Sequence, residues 1–119
     1  MKDFRELKIW EKSHKLSLCI YKITKDFPKE ELYGLTSQIR RACTSIATNI
    51  AEGCGRDSDA ELHRFLVIAM GSASEVEYLL LLSNDLNLIH RSNYLQLNED
   101  IIEIKRMLGS FIQKLKADR

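Results

Sequence analysis

Apolar residues recur along this chain at the three- and four-residue steps of a helix. Ile9, Ser13, Leu16, Ile20, Ile23 and Phe27 form one such seam, which predicts a helix from Leu7 to Phe27. Trp10, Ser17, Tyr21 and Thr24 widen the seam. Pro28 ends the helix, because the residue before a proline avoids the α region. The stretch PKEELYGL then reads as a connection with room for one helical turn. A second helix is expected from Leu35 to Glu52, with Leu35, Ile39, Ala42, Ile46 and Ile50 as its apolar face. Gly53 is expected to end it in a left-handed conformation, which a residue without Cβ adopts freely.

The third helix opens with Ser58 and Glu61 in the spacing of a capping box. Leu62, Leu66, Ala69, Ala73, Val76, Leu80 and Ser83 make one seam, and Phe65, Ile68, Ser72, Glu75, Leu79, Leu82 and Leu86 a second. Val67, Met70, Ser74, Tyr78 and Leu81 make a third face that is still largely apolar. A helix apolar on most sides is central or lies between subunits, so Val67, Met70, Tyr78 and Leu81 are the expected oligomer interface. The fourth helix is predicted from Ser92 to Lys116 on the unbroken series Tyr94, Leu97, Ile101, Ile104, Leu108, Phe111 and Leu115. Its acids sit early and its lysines late, which suits the helix dipole. Short connections make sequential helices antiparallel neighbours. The expected fold is all-α, an up-down antiparallel four-helix bundle forming one domain over residues 1–119.

Composition narrows the function. With 45% hydrophobic residues the chain can fill a core, and one proline with five glycines favours long helices over many strands. The formal net charge of +1 is not that of a strongly basic nucleic-acid binder. Cys19, Cys43 and Cys54 are an odd trio without CxxC spacing. They argue against a disulfide framework or a zinc site and fit a reducing, cytoplasmic setting. The N-terminus MKDFRELKIWEK lacks the apolar core of a signal peptide. No unbroken apolar run approaches the roughly 20 residues that cross a bilayer, so no membrane partner is expected.

One polar pattern needs an explanation. On the second helix Gln38, Arg41, Ser45, Asn49 and Glu52 fall on one narrow stripe beside the apolar face, while Arg40, Thr44, Thr48 and Ala51 take the more exposed side. A catalytic reading would make Glu52 an acid or base and Arg41 an anion binder. No histidine or cysteine joins them, and no nucleophile arrangement of this kind is known to the chemistry of such sites. No catalytic residue is therefore assigned. The stripe reads instead as a structural network that sets helix register, with Glu75 as the expected acidic partner of Arg41 and Glu52 as its competitor.

These same residues resemble a known family. LKIWEKSHKL, then FPKEELYGLTSQIRRACTSIATNIAEGCGR, then FLVIAMGSASEVEYLL are similar, in order and spacing, to the 23S rRNA intervening sequence proteins, also called the S23 ribosomal protein family. Ala47 stands where members often carry proline, and Ser13 where a small apolar residue is usual. The resemblance implies a homo-oligomeric four-helix bundle, a pentamer, with no established enzymatic activity. It also implies kinship with the accessory variability determinant of diversity-generating retroelements. That relative is a basic pentameric barrel that partners a reverse transcriptase and binds nucleic acid.

Nucleic-acid contact has one local candidate here. Lys8, Lys12, Lys15 and Lys22 share a face of the first helix, with Arg5 nearby. Residues 1–57 carry eleven Lys/Arg against eight Asp/Glu, a net +3, and residues 58–119 seven against nine, a net −2. Solvated helix faces carry lysine routinely, so the stripe is also what an ordinary outer face looks like. His14, His63 and His90 lie on different elements and suggest no metal site. The sequence thus predicts a non-enzymatic, cofactor-free scaffold or adaptor that partners itself and RNA or a nucleic-acid enzyme. The alternative is direct nucleic-acid binding through the lysine stripe.

Overall fold

A computed structural model describes residues 2–117. Asp3 accepts the Arg5 N–H at 3.0 Å and caps a single 3-10 turn, Phe4–Glu6. The chain enters α1, Lys8–Thr24, which buries Ile9, Ser13, Leu16, Ser17, Ile20 and Thr24. The serine at position 13 costs the core little, because its hydroxyl donates to the Ile9 carbonyl at 2.8 Å. After Pro28 a 3-10 turn, Lys29–Glu31, runs into one wide turn, Leu32–Thr36, that breaks helical geometry at Gly34. The Glu31 carboxylate accepts the Leu35 N–H at 3.1 Å and anchors this entry to α2, Ser37–Cys54.

Gly53 does not end α2 as expected. The helix runs through it to Cys54, and no glycine among the described residues has a positive φ. A Cβ at Gly53 would lie 2.9 Å from both Leu62 Cδ1 and Phe65 Cβ. This glycine therefore lets α2 approach the start of the next helix.

That helix is α3, Asp59–Asp85. The Ser58 hydroxyl accepts the Glu61 N–H at 3.1 Å. Only this half of the capping box forms: the Glu61 carboxylate is held by Arg64 at 3.0 and 3.3 Å. The left-handed residue the chain does use is Asn87, at φ 59°. Its N–H bonds to the Asn84 carbonyl and that of Leu88 to Ser83, which closes α3 in a Schellman turn. The last helix, α4, spans Arg91–Ala117.

α1 packs on α2 and α4, and α3 packs on α2 and α4, so α1 and α3 are diagonal in an up-down four-helix bundle 46 Å long. α3 supplies the densest share of the core, with Leu66, Ala69, Ala73 and Val76 fully enclosed. An 18-residue window of α3 reaches a mean hydropathy of 1.7, so its length and composition would suffice to cross a bilayer. The interrupted runs hid this, because Glu75 and Glu77 are spread along an otherwise apolar helix. Its enclosed side chains, packed against α2 and α4, make α3 the main contributor to the core.

Candidate functional site

The polar stripe on α2 faces the seam with α3, but it splits into parts. Near the start of α2, the Gln38 amide donates to the Glu75 carboxylate at 3.3 Å. Two turns further on, Ser45 shares a 2.8 Å hydrogen bond with Ser72, and the Asn49 amide donates to the Ser45 hydroxyl at 3.0 Å and to its carbonyl at 2.8 Å. Arg41 and Glu52 join neither group. Both are exposed, and the expected Arg41–Glu75 ion pair is absent among the described residues. The neutral Gln38 takes the place beside Glu75, and water solvates the Arg41 charge without the cost of burial.

The arginine that does link helices is its neighbour. Arg40 donates to Thr24 Oγ1 at 2.8 Å and to the Tyr21 carbonyl at 3.3 Å, and its guanidinium lies 4.7 Å over the Tyr21 ring. Thr24 in turn donates to the Ile20 carbonyl. Arg40 therefore ties α2 to the last turn of α1. Arg40→Ala should destabilise the fold by about 1.5–3 kcal/mol, the range for hydrogen bonds that involve a charged group. Arg41→Ala should stay within about 0.5 kcal/mol, as an exposed change away from such features does. Paired thermal melts check this ordering, and equal effects would contradict it.

Ion pairs also change the lysine stripe. Lys12 is bound by Glu103 of α4, and Lys15 by Glu11 at 3.1 Å. Arg5 lies 3.5 Å from Asp3. The hydrogen bond to Lys12 lowers the Glu103 pKa and raises that of Lys12. A lowered carboxylate pKa means that the pair supports the fold above the ordinary carboxylate range and fades as pH falls through the lowered value. At the alkaline end it fades as pH rises through the raised Lys12 value. Of the five basic residues, Lys8 and Lys22 alone have no acid partner among the described residues.

Two apolar surfaces stand uncovered. Val67 is 48% exposed, Tyr78 58% and Leu81 44% along the outward face of α3, while Met70 is half covered by the bundle and would touch a Cβ at Gly109. Ile68 adds to the same outward face. On the other side, α1 and α2 enclose a groove of roughly 560 Å³, lined by Trp10, Leu18, Tyr21, Ala47 and Ala51 with His14 and Glu52. His14 stacks on Trp10 at 4.9 Å between ring centroids. Sequence reasoning missed this groove, although Leu18, an apolar residue off the α1 seam, was its signal.

The groove brings His14 and Glu52 to one cavity, but no hydrogen bond joins them among the described residues. Burial pushes the Cys43 thiol up to about 11, and its partner is the Ser17 hydroxyl at 3.5 Å. Burial also raises the Cys54 thiol. Neither is a thiolate nucleophile at neutral pH. Among the described residues no three His, Cys, Asp or Glu side chains come together as metal ligands.

The whole pattern of four helices, the α2 stripe and the α3 seams falls within one family description. The family model of the 23S rRNA-intervening sequence protein matches residues 5–110. The chain belongs to that family. A solved structure from Bacteroides thetaiotaomicron, described as a protein with unknown function from the S23 ribosomal protein family, is 33% identical. It superposes with a TM-score of 0.82 over 88% of this chain and 95% of its own. No curated protein matches the sequence. The family match runs from Arg5 to Ser110, a range that takes in all of α3 and the helices on either side of the α1–α2 groove.

Proposed function

We propose that this protein is a non-enzymatic, cytoplasmic scaffold that assembles with copies of itself into a ring, a pentamer, and serves as an adaptor for RNA or a nucleic-acid enzyme. The uncharged outward face of α3 carries this reading. Between Arg64 and Glu75 every outward residue of that helix lacks charge, and Val67 and Ile68 stand in solvent. An uncharged face with exposed apolar side chains is the kind of surface that a protein contact uses. The family description names 23S rRNA, and this is what suggests RNA as the partner. No group in the α1–α2 groove is placed as an activated nucleophile, and the protein needs no cofactor for a scaffolding role.

Direct nucleic-acid binding is the alternative, favoured by the exposed Lys8 and Lys22 of α1. Pairing of Lys12, Lys15 and Arg5 with acids weighs against it. Each phosphate contact would steepen the salt dependence of binding by about 0.7–0.9 in the logarithm. Fluorescence anisotropy of a labelled single-stranded RNA across a salt series separates the two. The scaffold reading, in which RNA is reached through a partner protein, expects no direct binding from about 50 to 200 mM salt. Steep binding that Lys8→Glu with Lys22→Glu abolishes would replace it by the alternative.

A further inference from the structure

The groove between α1 and α2 has the size and lining of a ligand site. Cavities that hold small molecules run to about 300–1,000 Å³ and combine an apolar lining with a few polar groups. This one, at roughly 560 Å³, falls inside that range. Ala47 and Ala51 are small enough to leave it open, and Trp10, Leu18 and Tyr21 give it apolar surface. Leu18 stands 59% exposed there.

Packing preforms the slot. Trp10 is the only tryptophan in the chain and packs against the core. Two rings fix it: Phe4 meets it edge-on at 4.8 Å, and His14 stacks on it at 4.9 Å between centroids. At the other end the Arg40 guanidinium lies over the Tyr21 ring. Trp10 and Tyr21 are eleven positions apart on α1, about 16 Å at the rise of an α-helix. The groove is therefore an elongated slot with an aromatic ring at each end.

Glu52 gives the slot a sign. It is the one Asp, Glu, Lys or Arg in the lining, and its carboxylate joins no ion pair among the described residues. The cations that could reach it are engaged elsewhere. Arg56, one turn on, lies 4.8 Å over the Phe65 ring. Lys8 is close enough to Glu103 of α4 to help lower its pKa. Lys2 lines a separate hollow with Cys54 and Asp57. Arg40 sits at the Tyr21 end, where it donates to Thr24 and to the Tyr21 carbonyl. An apolar slot with an unneutralised carboxylate at one end is complementary to a positive head on an apolar body.

We infer that the α1–α2 groove binds a small organic cation, an ammonium head on an aromatic or aliphatic body. The ammonium pairs with Glu52 beside Trp10, and the body lies along Ala51, Ala47 and Leu18 towards Tyr21. An indole ring attracts a cation within about 6 Å, so Trp10 works in the same direction as Glu52. An anion of the same shape would meet the Glu52 charge with no lining cation to receive it. The inference does not rest on self-assembly, which the α3 face carries.

The single tryptophan makes the test direct, since the side-chain N–H of Trp10 reports from the groove alone. Proton–nitrogen correlation NMR of the full chain at neutral pH follows that signal during titration with phenylbutylammonium. Phenylbutanol and phenylpentanoate, which carry the same phenylbutyl body, serve as neutral and anionic analogues. The cation should move the signal with a Kd of about 1 mM, as befits a ligand of this size. The alcohol should bind about threefold more weakly, and the anion more weakly still. Glu52→Gln, at an exposed position, should bring the cation down to the affinity of the alcohol. Ala47→Phe fills the slot and should abolish the response to all three, with helicity by circular dichroism unchanged. A cation that binds no tighter than the alcohol, or equally well to Glu52→Gln, would overturn the inference. So would the failure of all three probes to move the signal. A Trp10 signal that moves on dilution of the protein alone, and that the cation does not displace, would give the groove to a second copy and overturn it as well.

Discussion

Tyr78→Asp with Leu81→Asp should convert the protein from an assembly to a folded monomer. The effect is expected to be close to all-or-none. Both side chains stand outward on α3, 58% and 44% exposed, and neither belongs to the enclosed core. Helicity should therefore hold. In the proposed ring the same residues would leave water, and each large side chain contributes about 1.5–3 kcal/mol when fully buried. A charged carboxylate in their place must be desolvated without a partner, which costs several kcal/mol per ion. Because a ring repeats its contact at every subunit, the loss multiplies around it. Light scattering would show a mass near 13.8 kDa for the variant. An unchanged assembly would mean that the contact lies elsewhere on the surface.

Leu66→Ala should have the largest effect on stability of any single truncation considered. Leu66 is completely enclosed, on the helix that packs against α2 and α4. Truncation removes three carbons' worth of buried surface and leaves a cavity that long, straight helices close only partly. Such changes cost about 2–5 kcal/mol. For a domain of this size that corresponds to a fall in Tm of roughly 6–25 °C, at about 3–5 °C per kcal/mol. Leu95→Ala is the control, since Leu95 is 48% exposed on α4. Its melt should move by less than about 0.5 kcal/mol. Equal shifts for the two would contradict the enclosure of Leu66 in the core.

The fold was legible because the seams are long. Ile9 to Ile20 and Leu97 to Leu115 each repeat the apolar step often enough to settle the period and the face together. Helix starts were legible where a side chain caps them, as Ser58 does for α3. Helix ends were less so. Gly53 looked like a terminator from its backbone freedom, yet its missing Cβ serves a close approach to Leu62 and Phe65. The actual left-handed residue is Asn87, which sequence reasoning had passed over.

The candidate site was legible only in part, for a geometric reason. Arg40 and Arg41 are 100° apart on α2, and the sequence pattern puts Arg40 on the more exposed side, the reverse of what the structure shows. Which one reaches another helix depends on the side that α1 takes, and no periodicity within α2 contains that information. The structure puts α1 on the Arg40 side, through Thr24 and Tyr21. Likewise Glu75 was placed near the α2 stripe, but its partner proved to be Gln38. The groove was invisible because it belongs to two helices at once. Ala47 and Ala51 suggest room only after Leu18 and Tyr21 are known to face them.

The most direct test is the mass of the wild-type protein in solution, by sedimentation equilibrium from about 1 to 100 μM, a range that brackets ordinary protein association constants. The account predicts one closed species, a whole multiple of 13.8 kDa that does not grow further as concentration rises. A monomer throughout would contradict it, and the α3 face would then need a partner other than the chain itself.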